Sequence, residues 1–336
     1  NFCVGFTHAF PLPYQSMNLQ PADSKSPGEP DMLPRRDRGL SMPQRDCSLN
    51  MPIRLLVLDV DGTVTNSRHE VTDATVAAID RVRAAGIRVM LATGRRYRDV
   101  LPIAARLGIV EPLVTASGAL VKDPTDHATQ FRAAFAPGVL EGVLEMVVMR
   151  GHEPVLYTDS FAEGFDFHCR SLDPAASGDG AGQGFREYLD RNRTRARLSP
   201  DLHRTPPPRV FAGFAMGPQG DMLALEAAIR AAWSEAVSLH TIRSPRYHDY
   251  LCEIAPAGVT KWSAVETVAR GWEISPGAIC AVGDDRNDVP MVAAAGLGIA
   301  MGNAAAEVQA VADRVVGRHD DDGLVDVANL LLATLS

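Results

Sequence analysis

The carboxylates of Asp59 and Asp61, two positions apart at the end of the apolar run Leu55-Leu56-Val57-Leu58, are the residues of this chain best placed to do chemistry. So apolar a run reads as a strand buried on both faces, and open α/β sheets bind ligands at the carboxyl ends of such strands. Alternation along an extended backbone points the two acids the same way and turns Val60 toward the core, while Gly62 allows close backbone approach. Taken alone, the pair also fits a solvated strand end. A second segment repeats the pattern: Ile279-Cys280-Ala281-Val282-Gly283 leads into Asp284-Asp285-Arg286-Asn287-Asp288. Two strand ends with converging acids call for a cation. Oxygen donors without histidine or cysteine suit Mg2+ and disfavour zinc. Asp59, Asp284 and Asp288 supply that charge, and Asp61 can add its backbone carbonyl.

Two further places could hold a phosphate. Thr93-Gly94-Arg95 follows the strand-like Ile87-Arg88-Val89-Met90-Leu91-Ala92 and opens a helix, whose N-terminal N–H groups and dipole favour anions. Lys261, in Gly258-Val259-Thr260-Lys261-Trp262, starts another amphipathic segment. In isolation Thr93 reads as a helix cap and Lys261 as a solvated charge. Their order between the two acidic clusters makes them a set.

In that order, Asp59-Val60-Asp61-Gly62-Thr63, Thr93, Lys261 and Gly283-Asp284-Asp285-Arg286-Asn287-Asp288 resemble the four motifs of the haloacid dehalogenase superfamily. Ala92-Thr93-Gly94-Arg95, Tyr250-Leu251-Cys252-Glu253-Ile254 before Gly258, and Ala300-Met301-Gly302-Asn303-Ala304 resemble its Cof-type subgroup, which includes sugar-phosphate phosphatases. The resemblance runs from about Pro52 to Leu332 and is weakest in the middle. It implies an enzyme in which Asp59 is the nucleophile and forms an aspartyl-phosphate, and Asp61 is the general acid and then base. Asp61 then needs a raised pKa while Asp59 stays ionised. Thr93 with Gly94, and Lys261, are to hold phosphoryl oxygens, and Asp284 is to ligate Mg2+ directly. Asn287 joins the substrate-binding set and Asp288 the metal set with Asp59, Asp61 and Asp284; both are expected to act through water or by orienting Lys261. Asp285 is expected to face solvent or cap the next helix. One departure stands out: Ser117-Gly118 occupies the place where the family often has Asn-Gly.

The elements that position these groups read as strand 53–58, helix 73–85 capped by Thr72 and stopped by Gly86, strand 87–92, helix 96–107 and strand 112–116. This alternation predicts an α/β fold, a doubly wound, Rossmann-like parallel sheet, with an inserted α+β cap. The core is assigned to 51–121 and 250–336 and the cap to 122–249. Within the cap, Pro154–Thr158 and Val210–Ala215 read as strands, Val139–Met149 and Met222–Trp233 as helices, and Ala175–Gly184 and Pro206-Pro207-Pro208 bracket a mobile loop. Arg243, Arg246, Tyr247 and His248 are candidate substrate contacts that fit an ordinary polar hinge equally well, and His168 and His240 read as surface or locally bonded residues. Residues 1–50, rich in Pro, Ser, Asp and Arg, read as a disordered extension, with the natural start near Met51.

At 336 residues and 46% apolar, the chain can bury a two-domain core, and its net charge of −8 argues against nucleic acid as a partner. The run Arg191, Arg193, Arg195 and Arg197 reads as a solvated face. Five cysteines without metal spacing point to a reducing cytoplasm, and no apolar run reaches membrane-span length. The expected function is Mg2+-dependent hydrolysis of a small phosphorylated metabolite such as a sugar phosphate. The rivals are a phosphomutase of the phosphomannomutase type and a noncatalytic phosphometabolite sensor; retention of both nucleophile and acid weighs against the sensor.

Overall fold

The computed structural model describes residues 52–173, 182–244 and 246–333. The expectations for residues 1–50, the start at Met51 and the 175–181 part of the loop lie outside these residues; the rest of the loop expected up to Pro206 is corrected, since it holds a helix at Gln183–Asn192, which buries Phe185, Tyr188 and Leu189, and a strand at Ala196–Leu198. In chain order the elements are β1 Leu55–Leu58, α1 Asp73–Ala84, β2 Arg88–Leu91, α2 Tyr97–Arg106, β3 Leu113–Thr115, β4 Leu120–Lys122, β5 Thr129–Arg132 and α3 Val139–Met149. Then follow β6 Val155–Thr158, β7 Phe167–Cys169, α4 Gln183–Asn192, β8 Ala196–Leu198, β9 Val210–Gly217, α5 Gln219–Trp233, β10 Val237–Arg243 and β11 Tyr250–Pro256. The chain continues through α6 Lys261–Gly271, β12 Ile279–Gly283, α7 Val289–Ala294, β13 Leu297–Ala300, α8 Ala306–Val311, β14 Arg314–Val315 and α9 Leu324–Ala333.

A parallel sheet of order β14-β13-β12-β1-β2 carries the two acidic strand ends side by side, with Leu58 in register with Val282. Its residues alternate between two apolar layers. Leu56, Leu58, Cys280 and Val282 pack in one core, whereas Leu55, Val57, Ile279 and Ala281 pack in the other with Ala264 and Val265 of α6. Helices on both faces explain why these strands read as unbroken apolar runs. The Thr72 hydroxyl accepts from the Thr75 amide and starts α1, and Gly86, at φ +83°, follows its end as expected.

A six-stranded sheet of order β10-β11-β9-β6-β7-β8 forms the second layer system, antiparallel except where β7 meets β8. One of its faces packs through Ala215, Cys252 and Ile254 against Val143 of α3 and Leu225 of α5. The boundary drawn at residue 250 is corrected here: β11 lies between β10 and β9, so Tyr250–Pro256 belongs to this sheet. Its nearness to Lys261 in sequence suggested the core, yet its buried positions alternate, as they do in a strand with one open face. The boundary at 122 likewise falls inside a small β3-β4-β5 sheet.

Candidate active site

At the carboxyl end of β1 regular pairing stops with Leu58, and the next two acids part company. Asp59 is 4% exposed and turns toward α6, where Lys261 Nζ donates to its Oδ1 at 2.7 Å and to Asp288 Oδ1 at 2.6 Å. Lys261 is itself 2% exposed, so the solvated-charge reading does not hold. It is the first residue of α6, whose Thr260 cap exchanges hydrogen bonds with Ser263. Gly118, at φ +101°, lets the β3–β4 turn lie on this cap; a Cβ there would meet the Thr260 carbonyl oxygen at 2.1 Å. Burial opposes charging the lysine, but Asp288 and Asp59 outweigh it and raise its pKa.

Asp288 is fully buried and both its oxygens are engaged, Oδ1 by Lys261 and Oδ2 by the backbone N–H groups of Asp284 and Asp285 at 3.0 Å. This geometry fits a residue that orients Lys261 and fixes the loop. Asp285 is exposed and caps the short turn Arg286–Asp288, as one of its two expected roles required.

Among the described residues the Asp284 carboxylate receives only long hydrogen bonds, 3.3 Å each, from the Thr63 hydroxyl and Asn303 Nδ2. One oxygen each from Asp59, Asp284 and Asp288 lies within 4.8 Å of the others. Burial, with the charges of Asp288 and Asp61, pushes Asp59 up to about 7, and burial, with the charges of Asp59 and Asp288, pushes Asp284 up to about 9, both against the pull of Lys261. One lysine is too little positive charge for three acids, and an all-oxygen donor set short of charge fits a hard divalent cation. Gly62, at φ +75°, shapes the same place: a Cβ there would lie 2.2 Å from Asp284 Oδ2.

Asp61 sits differently. Arg95 grips it with two parallel bonds, Nε to Oδ2 at 2.7 Å and Nη2 to Oδ1 at 2.6 Å. Burial alone would raise its pKa, but the Arg95 bonds and charge, with His69 and Arg246, lower it. The raised value expected for an acid is therefore corrected for this conformation: a bidentate guanidinium stabilises the carboxylate. The sequence places Arg95 in the Cof-like Ala92-Thr93-Gly94-Arg95 run near a helix start without assigning it this partner; the helix itself begins at Tyr97.

Thr93 lines the cavity and is 1% exposed; its hydroxyl accepts from the Arg95 amide at 3.1 Å, closing a local turn while Arg96 takes the cap position of α2. Gly94 and Asn287 line the same cavity, and Asn287 Oδ1 is buried without a hydrogen-bond partner among the described residues. The cavity, about 320 Å³, thus gathers Asp59, Asp61, Thr93, Gly94, Lys261, Asp284 and Asn287 from both halves of the sequence. Asp288 stands behind them.

Sequence reasoning gave no role to Glu253 or Asn303. Ser117, in the left-handed region at φ 55°, donates through its hydroxyl to Glu253 Oε2 at 3.0 Å, and burial pushes Glu253 up to about 7. A carboxylate inside an apolar alternating strand was the available signal. Asn303 Nδ2 also donates to the Gly62 carbonyl at 2.9 Å and ties the two acidic loops together. Of the other candidates, Arg243, Arg246 and Tyr247 line the cavity, whereas His248 pairs outside it with Glu187 at 2.6 Å. His168 is buried and bonded to the Ser199 hydroxyl at 2.8 Å.

A parallel α/β sheet whose strand ends join a carboxylate pair, a buried lysine and a second acidic loop defines a class of phosphoryl-transfer hydrolases. Residues 56–327 match the family of haloacid dehalogenase-like hydrolases. The chain belongs to that family and, within it, to the Cof-type phosphatases. It is 26% identical over 296 residues to phosphatase YwpJ of Bacillus subtilis (strain 168), covering 83% of this chain and 100% of the relative. It is 28% identical over 260 residues to an HMP-PP phosphatase of Serratia proteamaculans (strain 568), covering 77% and 87%. In structure it is similar to a haloacid dehalogenase-like hydrolase from Bacteroides thetaiotaomicron, with a TM-score of 0.68 at 22% identity over 83% of this chain and 99% of that one.

Proposed function

We propose that this phosphatase is a Mg2+-dependent hydrolase of a small phosphorylated metabolite and works through an aspartyl-phosphate on Asp59. The observation that carries the reading is the Lys261 ammonium, buried between Asp59 and Asp288 at the mouth of the parallel sheet. A cation in that place aligns the nucleophile and neutralises an arriving phosphoryl group.

Asp59 and Asp284, with the Asp61 backbone carbonyl, would hold Mg2+, which supplies charge neutralisation among the carboxylates. An Asp59 oxygen attacks phosphorus and the bond from phosphorus to the ester oxygen breaks. The departing alkoxide takes a proton from Asp61, which must first leave Arg95 and acquire that proton. Water then attacks the acyl-phosphate and gives its proton to Asp61, releasing inorganic phosphate and restoring Asp59. Thr93, Gly94, Lys261 and Asn287 position the phosphoryl oxygens throughout.

The six-stranded sheet and its helices are read as the cover that selects the alcohol, and a sugar phosphate is the class the Cof-type resemblance names. The buried thiols Cys169, Cys252 and Cys280 support a cytoplasmic setting. The test is phosphate release from a panel of monoesters. Release should require Mg2+, stop with EDTA, and fall at least about 1,000-fold in Asp59→Asn; undiminished hydrolysis by that variant removes Asp59 as nucleophile. With a hexose phosphate, phosphate moved within the sugar instead of released would mark a mutase.

A further inference from the structure

Ala116, Ser117 and Gly118, in the turn between β3 and β4, have φ values of 48°, 55° and 101°. Among the described residues Ala116 and Ser117 are the only adjacent pair of side-chain-bearing residues in the left-handed region. Such backbone is unfavourable for a residue with a Cβ and persists where its surroundings over-determine it. Here the surroundings are the active site. The Ala116 N–H donates to the Arg95 carbonyl at 2.9 Å and the Ser117 N–H to the Thr93 carbonyl at 3.0 Å, while the Thr93 N–H donates back to the Val114 carbonyl at 3.0 Å. Gly118 lies against the Thr260 carbonyl, one residue before Lys261. One strained turn therefore carries both the Thr93-Gly94-Arg95 loop and the cap of α6.

The bond to Thr93 has a directional consequence. In a trans peptide the carbonyl of one residue and the N–H of the next point opposite ways. Fixing the Thr93 carbonyl on Ser117 therefore turns the Gly94 N–H away from the turn, and Gly94 lines the cavity. Among the described residues that N–H forms no hydrogen bond. We propose that Ser117 is a positioning residue whose left-handed backbone, rather than its hydroxyl, aims the Gly94 N–H at a phosphoryl oxygen through the Thr93 carbonyl. This role presupposes the phosphatase reading above and adds how one of its donors is held. A donor fixed in advance needs no reorganisation when charge gathers on the oxygen it faces. The strands on either side are paired, with Thr115 opposite Leu120. A residue that resists positive φ at position 117 is then relieved by tilting the peptides of the turn, among them the one that carries the Ser117 N–H. The Ser117 hydroxyl, bonded to Glu253, ties the turn to β11 and is assigned no part in turnover.

Three variants set side-chain chemistry against backbone conformation. Ser117→Thr keeps the hydroxyl but is β-branched, the kind of residue least able to take positive φ, whereas Ser117→Gly and Ser117→Asn give up the hydroxyl and take that region readily. With p-nitrophenyl phosphate and Mg2+, kcat of Ser117→Thr should lie roughly tenfold or more below that of the other two, with KM moving less. The reverse order, or equal kcat in all three, overturns the proposal. Selective 15N-glycine labelling views the donor directly, the Gly94 resonance being identified by its absence in Gly94→Ala. Inorganic phosphate with Mg2+ should move that resonance downfield in the parent and in Ser117→Gly. In Ser117→Thr it should stay in place while the Gly62 resonance still responds. This measurement stands apart from turnover: if no ester releases phosphate the phosphatase reading falls, and the same pattern of shifts still supports the role of the turn. A Gly94 resonance unmoved in the parent, or moved equally in Ser117→Thr, overturns it.

Discussion

The two walls of the cavity are built on opposite physical plans. The parallel-sheet floor crowds Asp59, Asp284 and Asp288 around one buried ammonium, with donors and acceptors held by backbone and buried apolar layers. The antiparallel wall presents mainly rings and methyl groups, with the Glu253 carboxyl on its central strand β11 and Arg243 and Arg246 at its mouth. Charge at close quarters in a buried place suits a transition state that gathers negative charge, whereas an apolar face discriminates among the groups attached to it. Floor substitutions should therefore lower turnover of every ester, and wall substitutions should reorder the esters.

The largest effect should come from Lys261→Met. It removes the charge between Asp59 and Asp288 and leaves two buried carboxylates facing each other. Breaking such a pair costs about 3–5 kcal/mol, read by urea unfolding, and kcat should fall by about two to three orders of magnitude for every ester. A loss confined to one ester class would break the division between floor and wall. Next is Gly62→Ala, whose new Cβ would meet Asp284 Oδ2 at 2.2 Å in a left-handed backbone at φ +75°. Displacing one supporting carboxylate should raise the Mg2+ concentration for half-maximal activity by about 10–100-fold. An unchanged Mg2+ requirement would take Asp284 out of the metal site.

The same contrast explains what could be read from the sequence. Asp59, Lys261 and Asp284 sit at strand or helix ends whose apolar runs are local and long, so position along the chain nearly determines position in space. Their surroundings were less legible. Alternation points Asp61 the same way as Asp59 and its role as acid calls for a raised pKa, yet pairing ends at Leu58 and the bidentate bond to Arg95, 34 residues away, reverses the sign of its shift. The strand Tyr250–Pro256 was grouped with the core because sequence shows adjacency and not hydrogen-bond partners, and its partners are β9 and β10. The wall depends on register across three strands, which a one-residue slip would invert and which no single segment encodes.

Glu253 leaves catalysis untouched and gives the finest view of the boundary between the two plans, because it is the acid that the apolar wall contains. Burial pushes it up to about 7 from the usual 4.5, although the Ser117 hydrogen bond and the Lys261 charge pull the other way. The folded protein then holds this proton more tightly than the unfolded chain, so the native state binds more protons between about pH 4.5 and 7 and loses stability as pH rises through that window. Above it the loss is complete, on the order of 3 kcal/mol at most. Glu253→Gln keeps an acceptor for the Ser117 hydroxyl and removes the titration. The variant should match the parent within about 1 kcal/mol at pH 5 and exceed it at pH 8 by up to about 3 kcal/mol, read from paired urea unfolding curves. A gap of the same size at both pH values would mean that water in the cavity already solvates this carboxylate, and the wall would then be wetter than its rings imply.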